Sequence, residues 1–287
     1  MRRLLVAALA TALLLTGCAG GTKPDPVVRV SGDVGQEPTM VYKEPLAIPR
    51  ATSKVIWEGD GPKLVDGGPV LINYRLEKAT DGSVVKETYS KVPKPSTLTP
   101  ETLSQDLYDA LSGERVGARV MLLLPATSDT SSFSSVMVVD VLPTRASGTA
   151  VPPRDGLPGV LVGDDGEPTI TKPEGAPPSQ LMVQALIKGD GEQVKKGATV
   201  TVQYTGVRWS DGSAYDSTWV KGEPKSFDLG AGILPGLAEG LVEQTVGSQV
   251  LIVIPPASGG AAGAEDDTLV FVVDILDASN PHAGQGG

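Results

Sequence analysis

The stretch Thr199-Val200-Thr201-Val202-Gln203-Tyr204-Thr205-Gly206, with Asp211-Gly212-Ser213 shortly after it, decides the fold. Val200, Val202 and Tyr204 fall on one face and Thr201 and Gln203 on the other, the alternation of a half-buried β-strand. Asp211-Gly212 then marks a turn. The same features occur 130 positions earlier: Tyr74 precedes Tyr204, Asp81-Gly82-Ser83 precedes Asp211-Gly212-Ser213, and Gly59-Asp60-Gly61 precedes Gly189-Asp190-Gly191. Val116-Gly117 and Val246-Gly247 match at the same offset, as do Pro125 and Pro255. Val138-Val139-Asp140 and Val272-Val273-Asp274 match at 134, so the second copy carries four extra residues before its last strand. Two copies in one chain serve as controls for each other, and function is to be sought where they differ.

The runs Val250–Ile254 and Leu269–Ile275 are apolar and β-branched, as buried strands require. One short helix is expected in each copy. In the first, Thr99 suits the cap, Pro100 the first helical position and Gly113 the end, with Leu103, Leu107 and Leu111 on one stripe. In the second, Pro235 precedes Leu237 and Leu241. A sheet whose apolar face is covered by a helix makes an α+β domain. The expected divisions are a leader over 1–17, a stalk over 18–50, the first domain over 51–145, a linker over 146–178, the second domain over 179–280 and a tail over 281–287. The stalk is rich in Gly, Pro, Thr and Val without periodicity and reads as flexible. The linker contains Val151-Pro152-Pro153 and Gly175-Ala176-Pro177-Pro178, and reads as a proline-stiffened tether rather than a segment docked on either domain.

Arg2-Arg3, the apolar run Leu4 to Leu15 and then Leu15-Thr16-Gly17-Cys18 make a secretory signal. The run is too short for a spanning helix, which needs roughly 20 apolar residues. Its end resembles a bacterial lipobox, which implies that Cys18 is acylated and that the protein is extracytoplasmic and lipid-anchored to the cell membrane. Cys18 is the only cysteine, so no internal disulfide forms. With 24 Lys+Arg against 34 Asp+Glu and a net charge of −10, nucleic acid is a poor partner. The sole histidine, His282, lies in a Gly-rich tail, which removes Ser-His-Asp and Cys-His catalysis. No carboxylates have metal-loop spacing, and the Gly-Asp-Gly triplets lack the Lys-Ser/Thr of a phosphate loop, so no metal or cofactor is expected.

Several motifs of the second copy occur in a recognisable order. Gln203-Tyr204-Thr205-Gly206 is followed by Asp211-Gly212-Ser213-Ala214-Tyr215-Asp216-Ser217-Thr218 and Phe227-Asp228-Leu229-Gly230. Then come Ile233-Leu234-Pro235-Gly236-Leu237-Ala238-Glu239-Gly240-Leu241, Val246-Gly247, Ile254-Pro255-Pro256 and Thr268-Leu269-Val270-Phe271. Over nearly the whole of 181–276 this resembles the FKBP-type peptidyl-prolyl cis-trans isomerases. The resemblance implies a curled antiparallel sheet of five or six strands around one short helix, with an apolar pocket between them. Carried over, Tyr204, Asp216 and Phe271 are the catalytic candidates, and Tyr215, Phe227, Ile233, Leu234 and Leu237 the substrate-binding ones. The Leu234 N–H would hold a substrate carbonyl, and Asp216 would orient the site or interact with the displaced carbonyl region. Proline-containing segments of exported proteins and macrolide-type ligands are the implied partners. There are departures: Ala257-Ser258-Gly259-Gly260 stands where many relatives carry an aromatic-rich flap, Lys225 where they carry a pocket aromatic, and Leu237 where many carry Trp.

Such a pocket needs no nucleophile or proton shuttle. Rotation about an X-Pro amide is slow because conjugation is lost at the twisted state, at a cost of about 18–20 kcal/mol. An apolar pocket that fits the twisted amide better than either planar form lowers that barrier. A non-catalytic lipoprotein or chaperone that binds prolyl segments with the same groove is the alternative. The first copy is expected to be degenerate. Its counterparts are Val85 for Tyr215, Lys86 for Asp216, Thr97 for Phe227, Ser104 for Leu234 and Met137 for Phe271, whereas Tyr74, Leu103 and Leu107 survive.

Overall fold

A computed structural model describes residues 27–33, 35–126, 132–164, 166–258 and 267–281. Cys18, the leader, Gly259, Gly260 and His282 lie outside the described residues. The first domain runs through β1 (Arg29–Ser31), β2 (Thr39–Val41), β3 (Thr52–Trp57), β4 (Pro69–Lys78), β5 (Val84–Glu87), β6 (Lys94–Thr97), α1 (Gln105–Leu111), β7 (Arg119–Leu124) and β8 (Ser135–Leu142). The second comprises β9 (Thr149–Ala150), β10 (Val160–Val162), β11 (Pro168–Ile170), β12 (Met182–Lys188), β13 (Thr199–Arg208), β14 (Ala214–Ser217) and α2 (Thr218–Lys221). It continues with β15 (Lys225–Asp228), α3 (Pro235–Leu241), β16 (Gln249–Ile254) and β17 (Leu269–Ser279). The two sheets are β3-β7-β8-β4-β5, with β6 also on β4, and β14-β13-β17-β16-β12-β9, with β15 also on β13. Apart from β9 they correspond strand for strand, and each is an antiparallel sheet packed against a short helix. The α+β architecture follows.

The repeated Gly-Asp-Gly triplets have a common cause. A Cβ on Gly59 would lie 2.2 Å from the Val116 carbonyl oxygen, and one on Gly189 would lie 2.2 Å from that of Val246. Gly61 and Gly191 donate to those same carbonyls at 3.0 Å. Only glycine allows two backbones to meet so closely.

Both sheets are covered on both faces, and this corrects three expectations. The inner face of the second sheet carries Val200, Val202, Tyr204, Val250, Ile252 and Phe271 against α3. Its outer face carries Val207, Trp209, Leu251, Val253, Val270 and Val272, with Ile170, Leu157 and Val160 packed on them. The segment 146–178 is therefore not a free tether. It adds β9 to the edge of β12, and its hairpin β10–β11 lies over the sheet. Trp209 Nε1 donates to the Gly175 carbonyl at 3.2 Å. The described part of the stalk behaves likewise. Ile48, Val28, Val30, Met40 and Leu46 pack on Met121, Leu123, Val136 and Val138 of the first sheet. Nor is β13 half-buried, since Thr201 and Gln203 are as enclosed as Val200. The physical reason is that β16 and β17 are apolar at consecutive positions, so both faces need shielding.

The helices differ from expectation at their ends. α1 begins at Gln105, capped by Ser104, whose Oγ accepts from the Leu107 N–H, and it ends before Ser112. Thr99 and Pro100 form a preceding turn in which Leu103 N donates to Thr99 O. A hydroxyl that reaches the first-turn amides outweighs the preference of proline for the first position. The second domain has a further helix, α2, between β14 and β15. That inserted turn shifts the register: Val200 faces Phe227, whereas its counterpart Val70 faces Ser96. The first-domain counterpart of Phe227 is therefore Ser96, not Thr97.

The covering segments are held by buried polar groups. In the second domain Asp274 accepts from Ala146 N at 2.8 Å and from Gln249 Nε2 at 2.8 Å. Burial pushes the Asp274 carboxyl up to about 6, against the lowering effect of those two donors. A carboxyl raised above its unfolded value of about 3.9 takes up its proton more readily when folded. The stability this adds is complete below about pH 4 and lost as pH rises through about 6. Relative to Asp274→Asn, the natural chain is expected to lose about 2–3 kcal/mol over that window. Urea midpoints at pH 4 and 7 check this, and an unchanging difference between the two proteins would contradict it.

Candidate functional site

Between α3 and the face of the second sheet that packs on it, four aromatic rings stand in a row. Phe227 of β15 lies 5.9 Å from Tyr204 of β13, centroid to centroid. Tyr204 lies 6.0 Å from Phe271 of β17, and Phe271 lies edge-on 5.9 Å from Tyr215 of β14. Strand pairing creates the row, because Tyr204 faces Val273 and Gly206 faces Phe271 across the β13–β17 ladder. Gly206 is what admits the Phe271 ring: a Cβ there would lie 2.5 Å from its Cε1. The Tyr204 amide is fixed by Thr218 Oγ1 at 2.8 Å, as the Tyr74 amide is by Thr88 Oγ1 at 2.9 Å.

All seven apolar and aromatic residues expected at the site belong to one cluster. Tyr204, Leu237 and Phe271 are buried in it, and Tyr215, Phe227, Ile233 and Leu234 pack against it half-exposed. Leu237 lies on α3. Leu234 is the residue preceding that helix and makes no side-chain cap hydrogen bond. Half-exposed walls around a buried floor form an apolar surface open to a ligand.

Asp216 lies at the rim, on β14. Its Oδ2 accepts from the Tyr204 hydroxyl at 2.6 Å, and its Oδ1 from Ser217 N at 3.0 Å and from the Lys221 ammonium. Burial alone would raise the Asp216 carboxyl, but the bonds from Lys221 and Tyr204 outweigh it and hold it below the usual range. Burial and the bond to Asp216 raise the Tyr204 hydroxyl well above its ordinary value. Tyr204 is thus a neutral donor and Asp216 a carboxylate. The pair orients a ring and places fixed dipoles beside an apolar floor without acting as acid and base.

The sequence reading did not pick out the part played by Gly206, although its signal was there: the first copy has Leu76 at that position and Met137 opposite it. It also missed two cations, Lys221 and Arg208, and read a third, Lys225, only as a lost aromatic. Lys221 pairs with Asp216, Arg208 lies 5.6 Å over the Tyr215 ring, and Lys225 lies 4.8 Å over the Phe227 ring. In the first domain Lys86 is exposed and lies 6.0 Å over Tyr74. A cleft of about 1450 Å³ lined by residues of both domains, Asp140 and Asp277 among them, contains none of the eight expected residues.

Fold and site together define an antiparallel sheet packed against one short helix, with a cluster of aromatic rings between them. Residues 190–276 match the family described as FKBP-type peptidyl-prolyl cis-trans isomerase. An FK506-binding protein of Streptomyces anulatus is 35% identical over 118 residues, which are 38% of this chain and 95% of that one. The FKBP-type peptidyl-prolyl cis-trans isomerase FkpA of Escherichia coli K12 is 34% identical over 140 residues, 46% of this chain and 51% of that protein. The crystal structure of FkpA aligns with a TM-score of 0.33 at 32% identity over 44% of this chain and 52% of that one. That of the three FKBP domains of wheat FKBP73 gives 0.32 at 19% identity over 80% and 95%. The chain belongs to the FKBP-type peptidyl-prolyl cis-trans isomerase family, and it is an isomerase of that type.

Proposed function

We propose that the second domain isomerises X-Pro bonds in exported proteins at the aromatic row, and that the first domain has lost this activity. The observation that carries the reading is the Phe227–Tyr204–Phe271–Tyr215 row over the Leu237 floor, with the Tyr204 hydroxyl tied to Asp216. A prolyl ring seated on that floor leaves water, and its amide loses the hydration that favours the planar, polar form. In the first domain Val85, Lys86, Ser96 and Met137 occupy the corresponding positions, which supports a spacer or partner-docking role there.

Exchange spectroscopy on an Ala-Pro peptide, which needs no coupled protease, tests the activity. Tyr204→Phe keeps the ring and removes only the hydroxyl. It is expected to lower kcat/KM about three- to tenfold, the net scale of one ordinary hydrogen bond. No exchange above background with the natural chain would end this reading.

We further propose that lipid on Cys18 holds the protein at the outer side of the cell membrane, and that macrolide-type ligands occupy the same recess. Support for the anchor comes from Leu15-Thr16-Gly17-Cys18 after the apolar run. Cys18→Ser is expected to move the protein from the membrane pellet to the soluble fraction. Its retention in the pellet would overturn the anchor.

A further inference from the structure

The aromatic row has a cation at each end. Lys225 Nζ lies 4.8 Å from the Phe227 centroid, and the Arg208 guanidinium lies 5.6 Å from that of Tyr215. Lys225 is exposed on β15, and the row between these cations is the recess described above. The Arg208 guanidinium is also engaged through Nη1 by long contacts to Ser213 Oγ at 3.5 Å and to the Ala214 carbonyl at 3.4 Å, which hold it beside β14. Between them the Asp216 carboxylate is engaged by Tyr204, Ser217 N and Lys221. Other carboxylates border this rim. Asp211 lies on the turn near Arg208, with its Oδ1 bonded to Ser213 N, and Asp228 Oδ1 is bonded to Gly230 N. The chain as a whole carries a net charge of −10. Lys225 and Arg208 lie over the ring faces themselves, whereas Asp216, Asp211 and Asp228 are each engaged by other donors, so a carboxylate on a bound segment meets cations first at the two end rings.

We infer that the site prefers prolyl segments bearing Asp or Glu close to the proline on either side, with Lys225 and Arg208 as the residues that set this preference. The inference rests on the isomerase reading of the recess. Adjacent rings are separated by 5.9–6.0 Å, and an extended peptide rises about 3.3 Å per residue. One ring step therefore equals about two residues. A proline over Tyr204 places the second residue on one side of it beside Lys225, and a proline over Phe271 places the second residue on the other side beside Arg208. Lys225, which is exposed, and Arg208, which is half-buried, are each expected to change kcat/KM by about two- to fivefold when facing a carboxylate, and salt is expected to screen the effect.

The test uses the full chain and single-proline peptides that differ only at the second residue before or after the proline, which is Glu, Gln or Lys. Glu peptides are expected to exchange fastest and Lys peptides slowest at low salt, with the ratio collapsing at high salt. The Glu-to-Lys ratio should shrink in Lys225→Gln and approach unity in Lys225→Gln/Arg208→Gln. Equal rates for Glu and Lys peptides, or a ratio that survives in the double variant, would overturn the preference. Should the Gln peptides exchange no faster than background, the isomerase reading itself has failed. The peptide affinities from the same spectra then decide this inference, and Glu peptides binding no more tightly than Lys peptides would overturn it as well.

Discussion

Changing Gly206 to Leu and Phe271 to Met together is expected to leave the second domain folded while lowering its kcat/KM for an Ala-Pro peptide at least about tenfold. The pair copies the first domain, in which Leu76 faces Met137 across the β4–β8 ladder as Gly206 faces Phe271 across β13–β17. Gly206→Leu alone should destabilise the domain by about 1–3 kcal/mol, since its new Cβ would enter the Phe271 ring, 2.5 Å from Cε1 and 2.8 Å from Cδ1. Phe271→Met then removes the obstruction, so the two changes couple favourably and the double variant regains stability. Activity should not return with it. The Phe271 ring contacts both Tyr204 and Tyr215, and each aromatic pair contributes about 0.5–1.5 kcal/mol. A double-mutant cycle of urea midpoints, run beside exchange spectroscopy, separates the two effects. Natural turnover in the double variant would place the reaction away from this row.

Arg119→Ala is expected to unfold the first domain's outer layer and to cost about 3–5 kcal/mol, the range for stripping one member from a buried ion pair. Arg119 is fully enclosed. It binds Asp140 through Nε and Nη2 and lies 4.6 Å over the Trp57 ring. It also donates to the carbonyls of Gly32, Asp33 and Gln36 in the N-terminal covering segment. The second domain meets the same position with Gln249, which donates to Asp274 at 2.8 Å. Arg119→Gln should therefore cost less than Arg119→Ala, because an amide can still satisfy the Asp140 carboxylate. Hydrogen exchange of 28–48 together with the first unfolding transition reads the difference. Equal losses in Gln and Ala variants would mean that the carboxylate is not what Arg119 serves.

Much of the fold was legible because its signals are local. Strand alternation at Val200, Val202 and Tyr204, the Asp-Gly turns and the Leu237/Leu241 stripe each depend on a few neighbouring residues. The internal repeat then showed that the same pattern occurs twice. That Tyr204, Tyr215, Phe227 and Phe271 would come together was legible for a different reason: they lie in an ordered set of motifs, although they are scattered over the sequence. What failed was the reading of low-complexity segments. Residues 28–48 and 146–178 have no periodicity of their own, and composition alone made them tethers. Their order is imposed by partners such as Leu123, Val138, Leu251 and Val272. A trace of this was present in β16 and β17, whose consecutive apolar positions point to opposite faces and so demand a cover on each side.

The amino-acid sequence by itself determined the two-copy architecture and the α+β character of each copy, since both are carried by residue types at fixed spacing. Only the tertiary structure decided that the outer faces are sealed by segments lacking any pattern. It alone shifted the counterpart of Phe227 from Thr97 to Ser96, because α2 adds a residue between paired strands that no spacing rule marks. It also brought Lys225 and Arg208 to opposite ends of one aromatic row, though they lie on different strands and are no neighbours in sequence. The reason is common to all three. Local pattern sets what a segment prefers, whereas packing across a sheet sets which distant side chains share a surface, and that surface exists only once the strands are paired.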